Sequence, residues 1–162
     1  NKDDIIEHLF QRYEERMDSA LLAPEGRLPD LEDIWLQLHL VFECIWEYRF
    51  LYRDLVDILS RNRHLRMRFA RILKRAAANA TSVMRGLVQA GVMRASAPEI
   101  EGAATNILVL ATFWLNYSSV RGDKDEQEAI RLGIVQVMML VSPFMRDEER
   151  VHLNTLSKAY LR

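Results

Sequence analysis

Residues 98–141, PEIEGAATNILVLATFWLNYSSVRGDKDEQEAIRLGIVQVMMLV, decide how this chain folds. Within them Ile100, Ala103, Ala104, Ile107, Leu108, Ala111, Trp114 and Leu115 recur at helical spacing and form one apolar face, while Val109 and Phe113 lie on the opposite side. After Arg121-Gly122-Asp123 a second run, Leu132 to Val141, is apolar nearly all round, and a helix of that kind must be covered on more than one side. It is far too short to cross a bilayer. One core covers one face of each segment. A second copy of the same pair, packed about a two-fold axis as a four-helix bundle, covers the other. The expected dimer contacts are therefore Val109, Phe113, Trp114, Ile134, Val137, Met138 and Val141. The competing arrangement is a large monomeric bundle with both helices at its centre.

Working outward, 162 residues allow one domain with ample apolar content for a core. Helix formers dominate, Gly and Pro cluster at joints, and no alternating β-branched run suggests a strand. The fold class is all-α, a bundle of about seven helices. With 22 basic and 23 acidic residues the chain has no overall bias toward nucleic acid or anionic membrane. A single cysteine, Cys44, excludes an internal disulfide framework and a multi-cysteine metal site, which points to a reducing cytoplasm. No signal peptide or membrane span is present. The chain starts at Asn1 and enters a helix at once, so a preceding segment is expected to be missing.

Asn1 is a good N-cap, with Asp3, Asp4 and Glu7 where the helix dipole favours acids. Ile5, Ile6, Leu9, Phe10, Tyr13 and Met17 supply the apolar face of this first helix, expected to end near Leu22 before the breaker-rich stretch Ala23 to Pro29. Asp30 caps a second helix bearing Leu31, Ile34, Trp35, Leu38, Val41, Phe42, Ile45 and Trp46. A short third helix spans about Phe50 to Leu59, and a long fourth runs from Asn62 to about Gln89, ended by Gly91. Pro98 suits the first turn of the next helix, Ser142-Pro143 closes the second apolar helix, and Asp147-Glu148-Glu149 starts the last.

Catalytic patterns are weak. Glu149-x-x-His152 has the spacing of half a carboxylate-bridged metal site, but a di-metal bundle needs two such motifs and further inward carboxylates, so a solvated face is the better reading. Asp4 and His8 read as a surface pair rather than zinc ligands. Cys44 falls on the polar side of its helix with no histidine placed to activate it. No phosphate loop, nucleophile elbow or dinucleotide fingerprint occurs, and no metal, cofactor or enzymatic activity is expected. The run Arg61, Arg63, Arg66, Arg68, Arg71, Lys74 and Arg75 spreads round the polar arc of the fourth helix, although Arg68 or Arg75 could meet an anionic ligand group at a pocket mouth.

A ligand pocket is the stronger candidate. Trp35, His39, Phe42 and Trp46 lie along one edge of the second helix. Asn79 and Met84 on the fourth helix and Asn106 and Tyr117 on the fifth offer comparable positions. Such a mixture, mostly apolar with a few orienting polar groups, is typical of pockets between bundle helices. The alternative is that these aromatics simply fill the core and His39 is a satisfied boundary residue.

Asn1-Lys2-Asp3-Asp4-Ile5-Ile6 resembles the segment that follows the recognition helix in the tetracycline-repressor (TetR) family. Glu47 to Leu55, with Ser60-Arg61-Asn62 and the basic helix after it, is similar to a proteobacterial type of regulatory domain in that family, and the resemblance extends over the whole chain. It implies a transcriptional regulator, usually a repressor, that binds a palindromic operator as a dimer through an N-terminal helix-turn-helix. That motif is not found here, so operator DNA is a partner only through the missing segment. The resemblance further implies a single ligand-sensing and dimerisation domain over 1–162. Its parts are a connecting helix (1–22), pocket helices (30–91), dimerisation helices (98–144) and a C-terminal helix (147–162). The implied partners are a second copy and a small hydrophobic inducer, with no membrane. Tyr52, inside the matching motif, joins the candidate ligand contacts. The competing function is a helical homodimeric interaction module without a small-molecule site.

Overall fold

The computed structural model describes residues 1–23 and 25–161. It contains, among them, the α-helices α1 (Lys2–Ala20), α2 (Leu31–Glu47), α3 (Arg49–Arg53), α4 (Leu55–Arg61), α5 (Arg63–Gln89), α6 (Ala97–Arg121), α7 (Glu126–Val141) and α8 (Asp147–Tyr160), with a 3₁₀ turn at Ser142–Phe144. The fold is all-α. Pro24, one of the breakers expected in the first loop, and Arg162, the last residue of the expected C-terminal helix, lie outside the described residues.

The helix starts follow from side chains that take up otherwise orphaned backbone N–H groups. Asn1 with Asp4, Asp30 with Asp33, and Ser96 with Glu99 form reciprocal capping boxes, and Asn62 and Asp125 cap α5 and α7. Gly122 ends α6 in the left-handed region at φ 89°, a conformation that costs glycine no Cβ clash. Two boundaries differ from expectation. The first helix stops at Ala20 rather than near Leu22. The expected third helix divides into α3 and α4 at Asp54 (φ −111°, ψ 25°), which makes eight helices instead of about seven. At this kink the Arg53 carbonyl accepts a hydrogen bond from Asn116 Nδ2 of α6 (3.2 Å), and Arg53 pairs with Glu126 of α7 (2.7 Å). Tertiary bonds thus hold the kinked segment against α6 and α7.

Two apolar clusters make the core. One gathers Phe10, Tyr13 and Met17 of α1 with Phe42, Ile45, Leu51, Tyr52, Leu65, Phe69, Ile72, Trp114 and Ile134; the other gathers Leu31, Met84, Leu87, Met93, Ile100, Met138, Val141, Met145 and Leu153. An isolated antiparallel bridge between Met93 and Met145 ties the loop before α6 to the loop after α7, with Arg94 N–H on the Phe144 carbonyl (2.7 Å) and Arg146 N–H on the Val92 carbonyl (3.0 Å).

Helices approach one another closely at Gly133. A Cβ placed there would lie 2.6 Å from Phe42 Cε1 and 2.7 Å from Trp114 Cδ1, so α2 and α6 lean on α7 where it has no side chain. Trp114 is locked in place by its indole N–H, which donates to the Ala129 carbonyl (2.6 Å). Of the expected dimer contacts, Trp114, Ile134, Val137, Met138 and Val141 are buried within the chain itself, because the Gly133 contact turns them inward. Val109 and Phe113 do face out, in a stripe with Tyr117 and Val120 of α6. Cys44, expected on a polar side, is fully buried as well.

Gly133→Ala would ordinarily favour a helix by up to about 1 kcal/mol. Here the methyl meets two aromatic rings, so the variant is expected to be destabilised by about 1–3 kcal/mol in urea unfolding. An unchanged midpoint would show that the rings move aside at little cost.

Candidate functional site

Between the two clusters lies a cavity of about 120 Å³, walled by α1, α2, α3, α5, α6, α7 and the Met145 turn. Its wall comes from residues far apart in sequence: Tyr13 and Met17, Phe42, Tyr52, Phe69 and Ile72, Met84, Thr112, Met138 and Met145. Among the described residues no Asp, Glu, Lys, Arg or His side chain lines it. An ion placed inside would therefore lose its hydration without gaining a countercharge.

The polar groups on the wall are few. Tyr13 and Tyr52, both buried, join their hydroxyls at 2.5 Å, and Tyr13 stacks on Phe69 at 6.3 Å between ring centres. Burial raises the pKa of both phenols, for Tyr13 with a further push from neighbouring Tyr52, so both keep their protons at neutral pH. Asn79 Nδ2 donates to the Leu21 carbonyl (2.9 Å) and Gln37 Nε2 to the Leu22 carbonyl (3.4 Å), so two amides of the wall hold the C-terminal end of α1. Thr112 is buried on the inward side of α6.

Of the ligand contacts expected from sequence, Phe42, Tyr52, Asn79 and Met84 meet at this cavity. Trp35 packs edge-on against Tyr160 instead, at 4.8 Å between ring centres. His39 and Trp46 line a separate groove of about 310 Å³ with Glu43, Gln127, Ile130, Arg131 and Tyr160. There His39 bonds Glu43 (Nε2, 2.9 Å) and the Tyr160 hydroxyl (Nδ1, 2.9 Å). This groove holds more water-sized space, but its charged lining suits water better than an apolar guest. Asn106 and Tyr117 are exposed on the outer side of α6 and are not brought to the cavity. Tyr13 and Thr112 line the cavity without having been expected there. Their signal is a hydroxyl within an otherwise apolar face, Tyr13 between Phe10 and Met17 and Thr112 between Ala111 and Leu115.

The basic helix serves α1. Arg68, largely buried, lies between Glu7 (3.1 Å) and Glu14 and sits 4.9 Å above the Phe10 ring, while Arg75 pairs with Asp18 (3.2 Å). Neither arginine is on the cavity wall, which corrects the expectation of an anion contact there. Burial pushes the Cys44 thiol up to about 12, so it carries no thiolate at neutral pH. His152 faces Glu32 of α2 (3.1 Å). Among the described residues no group of three or more His, Cys, Asp and Glu could hold a metal ion, and no helix is long and apolar enough to cross a membrane.

Because Arg68 spans two carboxylates in a partly buried site, a double-mutant cycle of Arg68→Ala and Glu14→Ala is expected to give a coupling of about 1–2 kcal/mol in unfolding free energy. A coupling within error of zero would mean that α1 is held by its apolar face alone.

Compared with known proteins, residues 12–153 match a family model named TetR and described as bacterial transcriptional repressor. Among solved structures the chain is similar to a TetR-family transcriptional regulator from Marinobacter aquaeolei VT8. The TM-score is 0.89 at 29% identity, over 100% of this chain and 78% of that one. No curated protein sequence matches.

Proposed function

The chain belongs to the TetR family of transcriptional regulators, and we propose that it is the part of such a regulator that senses a small, largely hydrophobic ligand and dimerises. The observation that carries this reading is the uncharged cavity whose wall includes Tyr13, Met17 and Leu21 of α1. In this reading α1, over 1–22, is the connecting helix to an N-terminal helix-turn-helix, and 30–91 supply most of the pocket. Residues 98–144 make the dimer, and 147–162 close the bundle. The protein is then a regulator rather than an enzyme, and a repressor in its default action.

A ligand shifts such a protein only by its different affinity for two states, a coupling typically of about 1–3 kcal/mol. The geometry offers a lever. A guest pressing on Tyr13 and Met17 works against the ion pairs of Arg68 and Arg75, which hold the same helix from its other side. Displacing α1 in each half of a dimer changes the separation of two DNA-reading heads, and half-sites about one helical turn apart make binding sensitive to that separation.

Dimerisation is assigned to the outer stripe of α6. Val109, Phe113, Tyr117 and Val120 are spaced at helical intervals and left exposed, with Val120 at 89%. A contiguous apolar stripe of this kind marks an interaction surface, and a self-complementary helix pair fits a two-fold axis.

Two measurements test the reading. The double variant Val109→Asp/Phe113→Asp is expected to sediment as a monomer with its helical circular dichroism intact, and an unchanged dimer would place the interface elsewhere. Ala111→Leu, which puts a larger side chain into the cavity, is expected to retain the melting temperature within a few degrees and to lose binding of the neutral dye Nile red. Wild-type protein that dimerises and binds no apolar probe would favour the interaction module without a small-molecule site.

A further inference from the structure

The hydrogen-bonding capacity of the cavity wall does not balance. Each tyrosine hydroxyl carries one proton, so the Tyr13–Tyr52 pair holds two donors and uses one of them in its own bond. The second O–H has no acceptor among the side-chain hydrogen bonds of the described residues, although both rings are buried. The side chain of Thr112, also buried, makes none of the side-chain hydrogen bonds there either. The amide donors of Asn79 and Gln37, by contrast, are engaged by the Leu21 and Leu22 carbonyls.

The other end differs in kind. Tyr13, Tyr52 and Phe69 belong to one core cluster, whereas Met84, Leu87, Met138, Val141 and Met145 belong to the other, and the cavity touches both. One end therefore presents an unspent hydroxyl proton and the other an adaptable, methionine-rich apolar wall.

We infer that the guest is an uncharged, elongated amphiphile whose carbonyl oxygen accepts the free hydroxyl proton of the Tyr13–Tyr52 pair while its hydrocarbon tail lies against Met84, Met138 and Met145. The inference rests on the cavity being the ligand site. It requires a neutral guest because nothing on the wall can compensate a carboxylate or an ammonium, and a carboxylic acid enters only with its proton. It requires an acceptor because an unpaired buried donor costs free energy that a purely aliphatic guest leaves unrelieved.

The test compares three eight-carbon probes on the full chain by displacement of Nile red: 2-octanone, n-octane and octanoate. On wild-type protein 2-octanone is expected to bind about tenfold more tightly than n-octane, the worth of one buried hydrogen bond. Octanoate is expected to weaken about tenfold for each pH unit from 6 to 8, since only its protonated fraction enters. Tyr13→Phe and Tyr52→Phe each leave one hydroxyl free to donate, so either single variant is expected to keep the preference for the ketone. The double variant, still binding Nile red and n-octane as the wild type does, is expected to lose it. Equal binding of ketone and alkane, retention of the preference in the double variant, or octanoate binding that is strong and independent of pH would each overturn the assignment of guest class while leaving the cavity as the ligand site. Exclusion of Nile red and all three probes from wild-type protein would overturn the ligand-site reading itself, and this inference with it.

Discussion

The absence of a side chain at Gly133 is the constraint on which the rest of the structure depends. With hydrogen there, the rings of Phe42 and Trp114 reach the α7 backbone, and α2, α6 and α7 meet at a single point. Helix-packing distances depend on the side chains at the contact, and here that contribution is nil on one side. The indole N–H of Trp114 then reaches the Ala129 carbonyl, which fixes the rotation of α6 about its own axis. Once that rotation is set, Thr112 points in with the core and Val109, Phe113 and Tyr117 point out. Cavity wall and outer stripe are two consequences of one contact.

The second organising feature is the way α1 is held. Its apolar side contributes Tyr13 and Met17 to the cavity, while Glu7, Glu14 and Asp18 engage the arginines of α5 and Arg16 engages Glu47 of α2. Exposed ion pairs contribute little individually, but Arg68 is mostly withdrawn from water and rests on Phe10, so its pairing also specifies register. The helix is thus attached by apolar contacts on the cavity side and by ionic contacts on the other. Under the function proposed above, such a division suits an element that has to pivot rather than detach.

The expectations that held and those that did not separate by the range of the forces involved. Asn1, Asp30, Asn62 and Gly122 mark helix ends through bonds to backbone within a few residues, and these were legible at once. Part of the cavity wall was legible too: Phe42 and Met84 combine apolar bulk with an inward position in the helical periodicity, while Asn79 stood out by its polarity and Tyr52 through the family resemblance. Trp35, His39 and Trp46 seemed equally good by that criterion. Trp35 and His39 were drawn off by Tyr160, more than a hundred residues away along the chain, and Trp46 by the groove beside it. Asn106 and Tyr117 lie outside the cavity because an all-apolar helix does not reveal from its own pattern which side faces the core.

The amino-acid sequence by itself determined that the chain is helical, where most helices begin and end, and that two of them are too apolar for one solvent-exposed side, since capping and periodicity act over a turn or two. Only the tertiary structure decided that Trp114, Ile134 and Met138 are enclosed within one protomer, that Arg68 serves α1 rather than a ligand, and that the phenols of Tyr13 and Tyr52 meet. Those outcomes depend on how far helices are rotated about their axes and how closely they approach. Both are set by contacts between residues distant in the chain, above all the ring-to-backbone contact at Gly133.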